Sequence, residues 1–435
     1  MLNELFVFAH GVGGRSDLPI STWTAAWSGA AVLLLSFAAL GLLWHKPRFA
    51  KIAEGRPAQK GERFVSSLQR VLRAFLLALF FVVLVGGFVG PDTTTGNLTP
   101  VTVYIIFWIG GSFLSALFGP WWRMVSPWET LGNLVDRLRP QKDHTPPKWL
   151  SSGWAAMVPI SLFHWLELAY HNGSSPRTLG WAMLLYTIWL MAMAWQWGWE
   201  NARKAEGFGV LFQLIAALSP LHADQHQRLK VRAPFVGVAA VTMTPALIAL
   251  VLAALGGTAF DGVSRTGWWG DLTVGQGGWG LTAVRSMGLV WVALLVGLAY
   301  QLASRLGGQI TRDLSFAERF GATLIPILVG YDLAHYFSLF LLEGQDFLRL
   351  ISDPWGQGWD LFGTANRLTN WTLVSTLVVG WVQIAAIVGG HVLGVFFAHD
   401  RSIELWRPQI ALRSQYPMLL VMVVYTMTGL ILLTG

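Results

Sequence analysis

Long apolar runs separated by short polar connections dominate this chain. Ten are long enough to cross a bilayer, at residues 20–44, 68–90, 101–119, 149–170, 178–199, 235–256, 281–303, 320–342, 372–397 and 417–433. About 20 apolar residues in a helix match a hydrocarbon core of about 30 Å. The runs are continuous rather than alternating, so they read as helices and not as strands of a closed barrel. A further stretch, 208–221, has only 14 residues with basic residues on both sides, and reads as a re-entrant or interfacial helix. The pattern predicts an all-α polytopic transmembrane helix bundle. It forms one integral membrane domain over 1–435, with 1–19 as an outer amino-terminal segment.

Composition agrees. Hydrophobic residues make up 54% of the chain and charged residues 12%, about half the charge of a soluble domain. The net charge of +7 would suit a nucleic-acid partner if the basic residues were clustered on a folded surface. Their placement says otherwise. Five of the inter-span loops hold 22 Lys and Arg, the outer segments hold five, and Arg70, Arg73 and Arg285 fall in or beside spans. Basic loops stay cytoplasmic, so both termini are expected outside, in a bacterial cytoplasmic (inner) membrane. The expected partner is the lipid bilayer, with further membrane or extracytoplasmic subunits left open and no nucleic acid. Cysteine is absent, which removes disulfides, thiolate ligands and cysteine-held iron–sulfur clusters.

Candidate chemistry lies where ionisable residues interrupt the apolar runs, because a charge at membrane depth is costly and rarely idle. The stretch 160–171, ISLFHWLELAYH, carries His164, Glu167 and His171 at helical offsets i, i+3 and i+7. The stretch 330–338, GYDLAHYFS, carries Asp332 and His335 three apart. His164 and His335 each lie about 22 Å from the inner end of their spans, taking a 1.5 Å rise per residue. Two helices facing each other would then bring His164, Glu167, Asp332 and His335 together in the outer leaflet. Imidazole and carboxylate at i, i+3 suit a transition metal, with copper favoured and zinc or iron as alternatives. His10, with Arg15 and Asp17 nearby, would cap the site from above. If processing exposed His10 as an amino terminus, its amine and ring could chelate copper together. His171, Tyr331, Tyr336 and Arg285 are candidates for positions beside the site. Alternatively, Glu167 or Asp332 pairs with a histidine or with Arg285 simply to lock the bundle. His391, beside Gly390 of a Gly390-x-x-x-Gly394 close-packing face, is a candidate haem b ligand or a polar helix contact.

Three stretches resemble an uncharacterised bacterial polytopic family: AHGVGGRSDLP near the amino terminus, YDLAHYFSLFLLEGQ, and SDPWGQGWDLFGT. Members read A-H-G-F-G-x-R-Y-D-L-P before the first span. The pattern falls on His10, Arg15 and Asp17, with Ser16 where Tyr is usual and Val12 where Phe is usual. Some members carry the label fenitrothion hydrolase, so the resemblance implies a membrane-bound hydrolase. A looser similarity of design is to copper-handling membrane proteins, which place His and Asp in the outer leaflet. The favoured expectation is an outer-leaflet metal site for metal handling or redox chemistry. The alternatives are a proton-coupled small-molecule transporter, a haem b electron-transfer subunit and, last, the hydrolase.

Overall fold

The computed structural model describes residues 19–57, 62–139, 145–223 and 229–433. Among them nine helices are long and apolar enough to cross a membrane, and strands are confined to three short pieces. In chain order the principal helices are α1 (Thr22–Leu43), α2 (Glu62–Val89), α3 (Leu98–Phe118), α4 (Pro127–Leu138), α5 (Met157–Leu168) and α6 (Pro176–Trp197). They continue with α7 (Gly207–Leu218), α8 (Pro245–Ser264), α9 (Gly278–Thr311), α10 (Leu324–Leu342), α11 (Thr376–Leu405) and α12 (Pro408–Leu432). The strands β1 (Arg56–Pro57), β2 (Leu221–Ala223) and β3 (Leu229–Val231) pair antiparallel in the order β1-β3-β2. They tie two loops together on the side where α1 ends.

Two expected spans come out differently. The run at 235–256 becomes α8 at Pro245–Ser264, about ten residues later along the chain. The cause is local. Phe235 takes a positive φ of 68°, a 3-10 stretch follows over Val236–Ala240, and the helix begins only where Thr244 caps Leu247 N–H with its hydroxyl ahead of Pro245. A threonine cap followed by proline at the first helical position is a strong start signal, and it outweighs the hydropathy of the preceding residues. The shift carries Asp261 into the spanning helix.

The second difference is at 149–170, which is not one helix. It divides into Lys148–Ser151, Trp154–Ala156 and α5, with Gly153 in the left-handed region at φ 86° between the first two. A side chain would strain that conformation. The broken segment still runs the length of its neighbours. Trp149 packs against Trp197 at one end, and Tyr104 donates to Gly173 O at 2.9 Å near the other.

α8 and α10 are the most enclosed of the spanning helices, and α8 packs against both α5 and α10. α10 and α11 cross at glycines. A Cβ on Gly390 would come within 2.6 Å of Pro326 O, and one on Gly330 within 2.5 Å of Ala386 O. Such small-residue contacts let backbones meet where lipid supplies no hydrophobic drive. α3 contains a π-helical stretch over Val101–Ile109. It directs Tyr104 and Trp108 at Phe163 of α5, with ring centroids 5.6 and 4.9 Å away. α7 sits among α3, α5 and α10 as a short buried helix.

Candidate functional site

α8 supplies the groups that gather the polar side chains. Its inward face runs through Ala254, Gly257, Thr258, Asp261 and Arg265, at offsets i, i+3, i+4, i+7 and i+11 and so on one side of the helix. Asp261 is 1% exposed and Asp332 3%. His335 Nε2 of α10 lies 2.5 Å from Asp261 Oδ2, and Arg265 Nη2 donates to the same oxygen at 3.0 Å. One turn deeper, Thr258 Oγ1 reaches Asp332 Oδ1 at 3.4 Å and Ala254 O at 3.2 Å.

α5 approaches from the other side. His164 lies directly over Gly257, where a Cβ would come within 2.1 Å of the ring. Its Nδ1 is 2.8 Å from Ile160 O, so Nδ1 carries the proton and Nε2 the lone pair in the neutral ring. Trp108 packs edge-on against the same ring at 5.3 Å. Glu167 Oε2 is buried and makes no hydrogen bond. It lies within electrostatic range of Asp261, Asp332 and Arg265, and of the Tyr104 and Tyr336 hydroxyls. The four histidines and carboxylates expected to converge do share one neighbourhood. The helices that carry them do not simply face each other, because α8 contributes the partners between them.

The residues expected beside the site divide. Tyr336 belongs to the cluster. Tyr331 turns away to donate to Tyr425 O at 2.7 Å. His171 is not on the helical face of His164 and Glu167, because α5 ends at Leu168. It binds Thr282 Oγ1 at 2.8 Å, at the exposed end of α9. Arg285 makes no ion pair among the described residues; the cation that enters the cluster is Arg265, expected from sequence to lie in an outer loop. His10 lies outside the described residues. The sequence reading missed Asp261, Arg265 and Thr258. The signal that would have found them is Thr244-Pro245, which sets the start of α8 and hence the depth of Asp261.

Among the described residues no three His, Asp or Glu side chains are grouped so as to hold a metal ion, and His335 Nε2 is already engaged by Asp261. Haem b does not fit at His391. That ring is wholly buried between Tyr331 and Tyr425, with centroids 5.8 and 5.9 Å away, at the tight α10–α11 crossing. The cavity beside Tyr331 is about 10 Å³, room for about one water rather than a porphyrin.

Two further features flank the cluster. A cavity of about 70 Å³ is lined by Thr94, Tyr104, Leu339, Glu343 and Asp346, among others, so Tyr104 stands between it and Glu167. At the other end of the bundle, Glu206 starts α7 and accepts a hydrogen bond from Tyr186 at 3.3 Å. Burial pushes its carboxyl up to about 7. Its neighbour Glu129 is matched by Arg203, whose Nη2 and Nε donate at 2.7 and 3.0 Å.

These features define a multi-pass α-helical membrane protein with an acid–histidine cluster enclosed among its helices. No family model, curated protein or solved structure matches the chain.

Proposed function

We propose that this protein couples proton binding at the Glu167–Asp261–Asp332 cluster to transport of a small molecule across the membrane. One observation carries the reading: three buried carboxylates share a single arginine. Were all three ionised, the cluster would hold uncompensated negative charge among apolar helices, which is costly. Protons are the simplest neutralising charge, and His164 and His335 supply bases beside the acids. Asp261 is the fixed anion, held by Arg265 and His335. Asp332 and Glu167 are the exchangeable sites, because the first has one long hydrogen bond and the second has an oxygen with none. Tyr104 and the acidic cavity beyond it give the cluster an approach from the end of the bundle that the basic-loop asymmetry assigns to the outside.

Infrared spectroscopy of purified protein, titrated across neutral pH in detergent or lipid, tests this. A protonated carboxylic C=O band that shifts in D2O is expected, and it should shrink in Asp332→Asn and in Glu167→Gln. If no such band forms in the wild type, the cluster is fully ionised and the reading fails. Elemental analysis of the same sample addresses the metal expectation. Stoichiometric copper, zinc or iron lost on His164→Ala would replace the proton reading with a metal one.

A further inference from the structure

The proton-coupling reading leaves unused a second line of buried polar groups, which runs from the cluster along the contact between α11 and α12. His391 stands at the middle of α11, about 22 Å from Thr376 by helical rise. Its Nδ1 is 2.9 Å from Ile387 O, which leaves the Nε2 lone pair buried and without a hydrogen bond. Two turns further on, His399 shows the mirror arrangement. Its Nε2 is 3.1 Å from Trp44 O, and its buried Nδ1 has no partner. Across the contact on α12, Gln415 Nε2 donates to Ser402 Oγ at 2.6 Å while its Oε1 is buried and unmatched. Buried polar atoms in native proteins are almost always matched, by protein or by ordered water. Two of these acceptors lie at the α11–α12 contact, and the third, on His399, faces Phe37 of α1 and Trp44 at its end; three along one length of α11 point to water.

The outer end of this line meets the cluster. The cavity of about 10 Å³ is lined by Thr258, Gly262 and His335 on one side and by Ile387 and Gly429 on the other. Ile387 lies one turn from His391 and Gly429 one turn from Tyr425, and Tyr331 lines the cavity and packs against His391, so the cavity lies one helical turn from the start of the line. The titratable groups facing His391 are Tyr331 of α10 and Tyr425 of α12, and Asp332 is an electrostatic neighbour of Tyr425. The inner end is Asp400, which accepts from Trp44 Nε1 and from the Arg48 and Phe49 amides at 2.9, 2.8 and 3.1 Å.

We propose that the α11–α12 contact is a hydrated proton route from the cluster to the opposite end of the bundle, with His391 as its mid-membrane relay. The inference rests on the proton-coupling reading and gives that site its second outlet. A proton delivered to His391 Nε2 converts it to imidazolium. The ring then releases a proton from Nε2 through water toward His399 Nδ1 and is neutral again, its Nδ1–H remaining on Ile387 O throughout.

Proteoliposomes containing the purified protein and an entrapped pH-sensitive dye provide the test, with a potassium diffusion potential driving protons. Wild-type protein should pass protons faster than protein-free vesicles, and His391→Phe should slow the flux several-fold. The carboxylic infrared band of the cluster should survive that substitution, which separates this inference from the reading it rests on. Wild-type flux no greater than that of empty vesicles, or equal flux in His391→Phe, would overturn the route. Should His391→Phe fail to fold, deuterium exchange at the ring C–H of His391 in the wild-type protein decides. Exchange approaching that of exposed His45 supports a hydrated ring, and none over the time in which His45 exchanges overturns it.

Discussion

Gly257 shows how much one missing side chain contributes. His164 occupies the space a Cβ would take, so Gly257→Ala must displace the ring or part α5 from α8. Overpacking of this kind costs about 1–3 kcal/mol, and the expected result is a lower thermal midpoint together with a perturbed imidazole signal for His164 in NMR. Asp261→Asn removes the negative charge shared by His335 and Arg265 and replaces one carboxylate oxygen with an amide donor. Arg265 is partly exposed, so the penalty should be nearer 2 than the roughly 3–5 kcal/mol of a fully buried broken pair. The paired substitution Asp261→Asn with Arg265→Gln should recover part of it, as a double-mutant cycle would read. Glu206 gives a pH prediction. Its carboxyl is raised in the fold to about 7, so between the unfolded value near 4.5 and about 7 the native state keeps a proton that the unfolded chain has lost. Stability therefore falls as pH rises through that window, by on the order of 3 kcal/mol at 1.36 kcal/mol per pH unit, and is level above it. Glu206→Gln should remove this slope from a thermal-shift titration in detergent.

Helices α1, α2, α3, α6 and α9 through α12 were legible in the apolar runs, because length and continuity of hydropathy are what a bilayer selects. The limits of that signal appear at α8 and α5. Hydropathy alone placed the sixth span too early, since residues 235–244 are apolar yet packed in a 3-10 stretch before the capped start at Thr244. At the fourth, the apolar run continues through Gly153 although the helix does not. The pairs His164/Glu167 and Asp332/His335 were visible as interruptions of apolar runs. Their true partners, Asp261 and Arg265, were hidden by the misplaced boundary. The Gly390-x-x-x-Gly394 face was legible and packs as expected, with Gly330 as its counterpart on α10. Gly390→Leu should force α10 and α11 apart, with loss of the monodisperse peak in size-exclusion chromatography and a lower thermal midpoint.

For the whole molecule, the uneven placement of Lys and Arg predicts an orientation. The turn after α9 holds basic residues and is expected inside, and the segment before α11 is expected on the outer face. Leu314 and Leu368 are both fully exposed on these two segments, and the chain has no cysteine of its own. Single substitutions Leu314→Cys and Leu368→Cys thus report sidedness without background. A membrane-impermeant maleimide should label Leu368→Cys on intact cells and Leu314→Cys only after permeabilisation; the reverse pattern would invert the topology.

The brokenness of 148–168 also bears on how the molecule is made. A helix of 12 residues covers about 18 Å of a core of about 30 Å, and α5 carries a histidine and a glutamate besides. Such a segment has little reason to leave the translocation channel for lipid by itself. Its polar face finds its match only when α8, almost a hundred residues later, has been synthesised. Biogenesis would then hold α5 in waiting, and nascent chains halted before residue 245 should leave it accessible to protease while chains extended past 300 should protect it.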